Sequence, residues 1–241
     1  MLLNLISSFM SGEEYDIKIA IISFVLSLPI FMLAFSIHEY AHGLVANKLG
    51  DPTAKSLGRL TLNPIKHIDL FGFIAMLVFG FGWAKPVPIN TRYFKKPKRD
   101  MAITALAGPL SNILLALIFG AILKAFSFID PLDLLTHSEF AANIWTFTGL
   151  MLSRGIYINV LFAVFNMIPV PPFDGSRLFF AFLPTKAYFW VQRYERYIYF
   201  VFLALLILGI FDLPISWITD QICNGIVNLY FIPDLIRALF F

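Results

Sequence analysis

Two histidines four residues apart with a glutamate beside the first, His38, Glu39 and His42 in FSIHEYAHGLVANKLGD, close an apolar run of some twenty residues. On a helix, positions i and i+4 share a face, so both imidazoles can hold one metal ion. Glu39 then lies one step round, placed to act on water as a general base. A His-Glu-x-x-His pattern arises by chance in a chain of this composition roughly once in a thousand. The competing explanation is a hydrogen-bonded cluster between helices, but ionisable groups at membrane depth are costly and mark function by default.

Two histidines leave a catalytic zinc site incomplete, since three protein ligands and one open position are usual. Of the remaining histidines, His67 lies in a basic loop that favours a structural or lipid-facing role, and His137 lies in a loop expected on the opposite side. The single cysteine, Cys223, excludes an internal disulfide and a thiolate cluster. A carboxylate is the better third donor. Only Asp174, in FNMIPVPPFDGSRLFF, and Asp212, in LLILGIFDLPISW, sit in strongly apolar sequence. Asp174 follows the third apolar span at the end to which the first delivers HEYAH, whereas Asp212 is expected at the other end of the fourth. Asp174 also reads as the turn aspartate of an Asp-Gly pair. Pro169, Pro171 and Pro172 break the helix there, and irregular backbone near lipid is tolerated chiefly where it lines a protein or water cavity.

The elements that position these groups are membrane helices. Of 241 residues 59% are hydrophobic and 14% charged, with a mean hydropathy of +0.79, well above the roughly 45–50% apolar content of soluble domains. An all-α polytopic membrane protein with a bundle of four to six transmembrane helices is expected. Four spans are strong: residues 17–43, continuing toward Leu49, then 101–128, 150–170 and 197–217. The run LFGFIAMLVFGFGW, residues 70–83, is too short and glycine-rich to span and is read as a re-entrant or hairpin segment. Residues 221–241 read as interfacial. The first residues, MLLNLISSFMSGEEYD, lack a basic n-region, so no cleaved signal peptide is expected.

Residues 44–100 and 173–196 hold 14 of the 18 cations, which directs both loops to the cytoplasm. The net charge of +3 then describes topology and lipid head-group contact, not nucleic-acid binding.

In these residues the chain resembles the site-2 protease family of intramembrane zinc metalloproteases. HEYAH matches the family's HExxH helix, and FNMIPVPPFDG its second motif, with Asp174 as ligand and Asn166 upstream. GWAKPVPIN and ALAGPLSN, with Asn112, are also similar, so the likeness runs over residues 33–180. No stretch is long enough for a PDZ or CBS domain, which implies a minimal form: a single membrane-embedded metalloprotease domain over residues 1–241. The resemblance implies one Zn2+ per chain on His38, His42 and Asp174, with Glu39 as catalytic base. The implied substrates are single-span membrane proteins in the lipid bilayer, cut within or near their transmembrane segments. The expected location is the cell membrane, with the active site toward the cytoplasm. Asn112 and Asn166 would bind substrate or the developing oxyanion, or instead join helices. A metal transporter or sensor using the same His/His/Asp site is the alternative, and a noncatalytic scaffold a third. Glu39 discriminates, because a transporter has no special need of a carboxylate outside its ligand set.

Overall fold

Helix α1, Glu14–Lys48, runs unbroken through the apolar stretch that ends in HEYAH, with Pro29 inside it and Gly43 as its one glycine. The computed structural model describes residues 14–79, 85–129 and 138–241. Residues 1–13, residues 80–83 of the expected re-entrant run, and His137 lie outside them. After α1 the described residues form α2 (Thr53–Ser56), α3 (Leu70–Phe79), α4 (Pro97–Phe126), α5 (Glu139–Asn166), α6 (Asp174–Phe182), α7 (Thr185–Ile207), α8 (Asp212–Leu229) and α9 (Asp234–Phe240), with no strand among them. The all-α, multi-span expectation holds.

Three helices, α1 from Ser27, α4 and α5, are long and apolar enough to cross a membrane. Helix α4 packs against the other two and runs antiparallel to both. Along α1, His38 meets Asn112 while His42 meets Thr104; along α5, Trp145 stacks on Phe126 while Asn159 meets Asn112. Helices α1 and α5 are therefore parallel, with Phe35 edge-on to Phe162 at a centroid distance of 4.4 Å. Their carboxyl ends emerge at the same end of the bundle, which is what joining HEYAH to Asp174 requires. The core of α4, α5 and α8 is filled by Leu123, Trp145, Ile156, Val160 and Ile226.

Several boundaries differ from expectation. The third span begins at Glu139 and ends at Asn166, not at residues 150 and 170. Ser138 Oγ caps it by accepting from the Ala141 N–H at 3.3 Å, and the prolines after Ile168 prevent its extension. The fourth span, expected over residues 197–217, is not one helix. It breaks between α7 and α8, where Gly209 takes a φ of +71° that a residue with a side chain rarely adopts. Arg193, Glu195 and Arg196 lie in α7, and among the described residues three helices are long and apolar enough to cross.

The carboxyl end packs one face on the core, where Ile226, Val227, Ile232 and Ile236 are buried and the Phe240 ring rests on Gly149, while Leu229, Phe231, Leu235 and Leu239 are exposed. Within the run 70–83, α3 is a ten-residue helix. At about 15 Å its described length covers half of a ~30 Å hydrocarbon core, and over these ten residues it is a helix, not a strand hairpin.

Candidate metal centre

His38 and His42 project from α1 toward α4 at the point where α4 carries Gly108. A Cβ there would fall 2.4 Å from His42 Nε2 and 2.5 Å from His38 Cε1, so the missing side chain is the space the two imidazoles occupy. Asp174 opens α6, which follows a cis Pro171–Pro172 bond. A Cβ on the next residue, Gly175, would lie 2.3 Å from the Met167 carbonyl oxygen. Glycine serves here for close approach to the end of α5, and it seats Asp174 against the histidines.

Three donor atoms meet. Asp174 Oδ2 lies 3.0 Å from both His38 Nε2 and His42 Nε2, which are 3.0 Å from each other. The far ring nitrogens settle the tautomers. His42 Nδ1 is 2.7 Å from the Thr104 carbonyl, which only accepts, so this nitrogen carries the proton. Asn112 Nδ2 donates to Ala34 O at 3.3 Å and to Asn159 Oδ1 at 3.0 Å, which leaves its Oδ1 to accept from His38 Nδ1 at 2.7 Å. In the neutral rings both Nε2 atoms are then lone pairs aimed, with a carboxylate oxygen, at one point.

Three converging acceptors fit a cation. Tetrahedral zinc at 2.0–2.1 Å from each donor spaces its ligands about 3.3 Å apart, and its histidines commonly donate their second nitrogen to a carbonyl or similar acceptor. Among the described residues these three form a group of metal-ligating side chains with donors within 4.8 Å of one another.

The triad opens on a cavity of about 1110 Å³ between α1 and α5 on one side and α7 and α8 on the other. Its wall is largely aromatic and aliphatic, including Phe31, Phe35, Phe162, Phe165, Phe202 and Leu206. From His42 to Phe31 the lining climbs about 16 Å along α1.

Glu39 lines the cavity beside the histidines, and its Oε2 accepts from the Val87 N–H at 2.7 Å. Asn166 also lines the cavity, with its Nδ2 donating to Phe162 O at 3.0 Å in its own helix. Asn112 does not line it: 0% exposed, it stands behind His38 and fixes that ring. Asn159, unremarked in the sequence, is equally buried and orients Asn112, with its own Nδ2 tied to Gly155 O at 2.8 Å. A second asparagine seven residues before Asn166 in an apolar span was the available signal. His67 is buried rather than lipid-facing and donates from Nε2 to Thr61 O at 2.7 Å, outside the donor group. Asp212 lines the same cavity, also outside that group.

Comparison with known proteins agrees with this chemistry. The family model described as peptidase family M50 matches residues 137–209, which include Asp174. Two curated relatives share the name "Putative zinc metalloprotease". YwhC of Bacillus subtilis is 41% identical over 176 residues, covering 73% of this chain and 77% of the relative. MJ0611 of Methanocaldococcus jannaschii is 34% identical over 160 residues, covering 66% of this chain and 71% of the relative. No solved structure matches.

Proposed function

The chain belongs to peptidase family M50, and we propose that this membrane zinc metalloprotease cuts peptide bonds within or near the transmembrane segments of single-span membrane proteins. The observation that carries this reading is the cavity: the donor triad opens on a long apolar space above the roughly 300–1,000 Å³ of small-molecule pockets. Such a space suits a stretch of apolar polypeptide. Glu39, a carboxylate outside the donor set yet lining the same cavity, favours hydrolysis over metal transport.

His38, His42 and Asp174 would hold the zinc. Bound there, it supplies Lewis acidity, which acidifies water and polarises a carbonyl. Glu39 removes the proton from the attacking water and delivers it to the leaving amine, so that one C–O bond forms as the C–N bond breaks. Asn112 keeps His38 in its Nδ1-protonated form, and Asn166 offers its amide oxygen to a substrate N–H.

A substrate helix has its amides hydrogen-bonded internally, so several residues must unwind before attack. Gly, Pro or Asn near the end of the span lowers that cost. The test is a single-span Leu/Ala reporter carrying Asn-Pro-Gly in its cytoplasmic half, reconstituted with the protein. Cleavage is expected beside the Asn-Pro-Gly, with at least a tenfold slower rate when those residues are Leu. Equal rates for both reporters would remove unwinding from the recognition step.

The basic loops support a site facing the cytoplasm in the cell membrane. Single cysteines at Lys96 and Arg193 in a Cys223→Ser background should react with an impermeant maleimide from that same side. Labelling from opposite sides would break the shared-end argument.

A further inference from the structure

Val87 stands between two prolines in Lys85-Pro86-Val87-Pro88-Ile89-Asn90, so its peptide N–H is the one backbone donor over residues 86–88. That single donor goes to Glu39. The bond to Oε2 is 2.7 Å, and no other hydrogen bond to this carboxylate is found among the described residues.

The extended segment is pinned on both sides of this bond. The Lys85 N–H donates to His67 O at 2.8 Å, and Arg59 donates to Lys85 O at 2.9 Å and to Pro86 O at 3.3 Å. Farther on, the Asn90 N–H donates to Asp51 Oδ2 at 2.7 Å, while Asp51, 0% exposed, accepts through Oδ1 from Thr53. The segment is thus anchored without Glu39.

Helix α1 also provides a seat for the Val87 side chain. Gly43 lies one turn beyond Glu39 on the same face, and a Cβ there would come within 3.2 Å of Val87 Cγ1, 3.3 Å of Leu60 Cδ1 and 3.4 Å of Ala54 Cβ. Val87 is 6% exposed in that seat. One face of α1 therefore receives both the valine's side chain and its N–H.

We propose that the Val87 peptide N–H is a positioning group for hydrolysis: seated by Gly43, it holds one oxygen of the Glu39 carboxylate and leaves the other to take the proton. A flexible glutamate at a cavity wall samples several rotamers, and a charge-assisted bond from a pinned backbone selects one. The inference rests on Glu39 as the base, and its tests separate the two.

Hydrogen–deuterium exchange reads the bond without any substrate, because Pro86 and Pro88 carry no amide to obscure that of Val87. In Glu39→Ala the Val87 amide should exchange at least tenfold faster than in the unaltered protein. The amides of Lys85 and Asn90, bonded to His67 and Asp51, should keep their protection. Equal exchange at Val87 in both proteins overturns the proposal.

Replacing the Pro86–Val87 amide by an ester, with the α-hydroxy analogue of valine, removes the donor and keeps the side chain. On the Asn-Pro-Gly reporter, kcat should fall about tenfold to a hundredfold with KM and zinc content unchanged. Val87→Pro removes the same donor in an encoded chain and should reproduce the split. An unchanged kcat in both, alongside an inactive Glu39→Gln, overturns the positioning role alone. Full activity in Glu39→Gln overturns the base and this inference with it.

Discussion

Glu39→Gln should retain zinc and lose about 10²–10⁴-fold in kcat, a barrier increase of about 3–5 kcal/mol. The amide keeps the size of the side chain and an oxygen to accept the Val87 N–H, so the wall of the cavity is undisturbed. What it lacks is a carboxylate able to take a proton from water and return it to the amine. Metal analysis and turnover of the Asn-Pro-Gly reporter, measured on the same preparation, check both halves. Near-normal turnover would remove Glu39 from the reaction.

Asp174→Ala should abolish stoichiometric zinc binding, and Gly108→Ala should come close to doing so although it removes no donor. In the first case two neutral imidazoles remain of a three-donor set. In the second, the new methyl enters the volume of both Nε2 atoms. The rings cannot yield without breaking the bonds from Nδ1 to Asn112 and Thr104. A rise in zinc Kd of at least a hundredfold is expected for Gly108→Ala, about 2.7 kcal/mol or more. Asp212→Ala and Gly225→Ala are the comparisons. Asp212 lies outside the donor group, and a Cβ on Gly225 meets nothing within 4 Å. Full zinc occupancy in Asp174→Ala would eliminate it as the third ligand.

The parts of the site that sequence makes legible are those set by local geometry or by chain topology. His38 and His42 share a face because four residues on a helix must. Asp174 joins them because α1 and α5 run parallel and end together, an arrangement the basic loops already implied. What lies sideways from a helix is not written in its own periodicity. Asn112 was visible as a polar residue in an apolar span, but nothing in ALAGPLSN says that it faces His38 rather than the cavity. Asn159 and Val87 act across 47 and 48 residues of chain, distances at which pairing depends on packing. The split fourth span has a local cause of another kind. One glycine in LLILGIFD does not interrupt an apolar average, yet at Gly209 a single positive φ ends a helix.

The donor set also has an order in time. His38 and His42 leave the ribosome early, but the carboxylate that completes them is 132 residues downstream of His42. At translation rates of about 5–20 residues per second, that interval lasts roughly 7–26 s. Throughout it, the growing chain holds Glu39 and two imidazoles but not the third donor of the triad. On the proposed reading, the site cannot act on the chain's own nascent spans before Asp174 is made, and by then α1, α4 and α5 are complete.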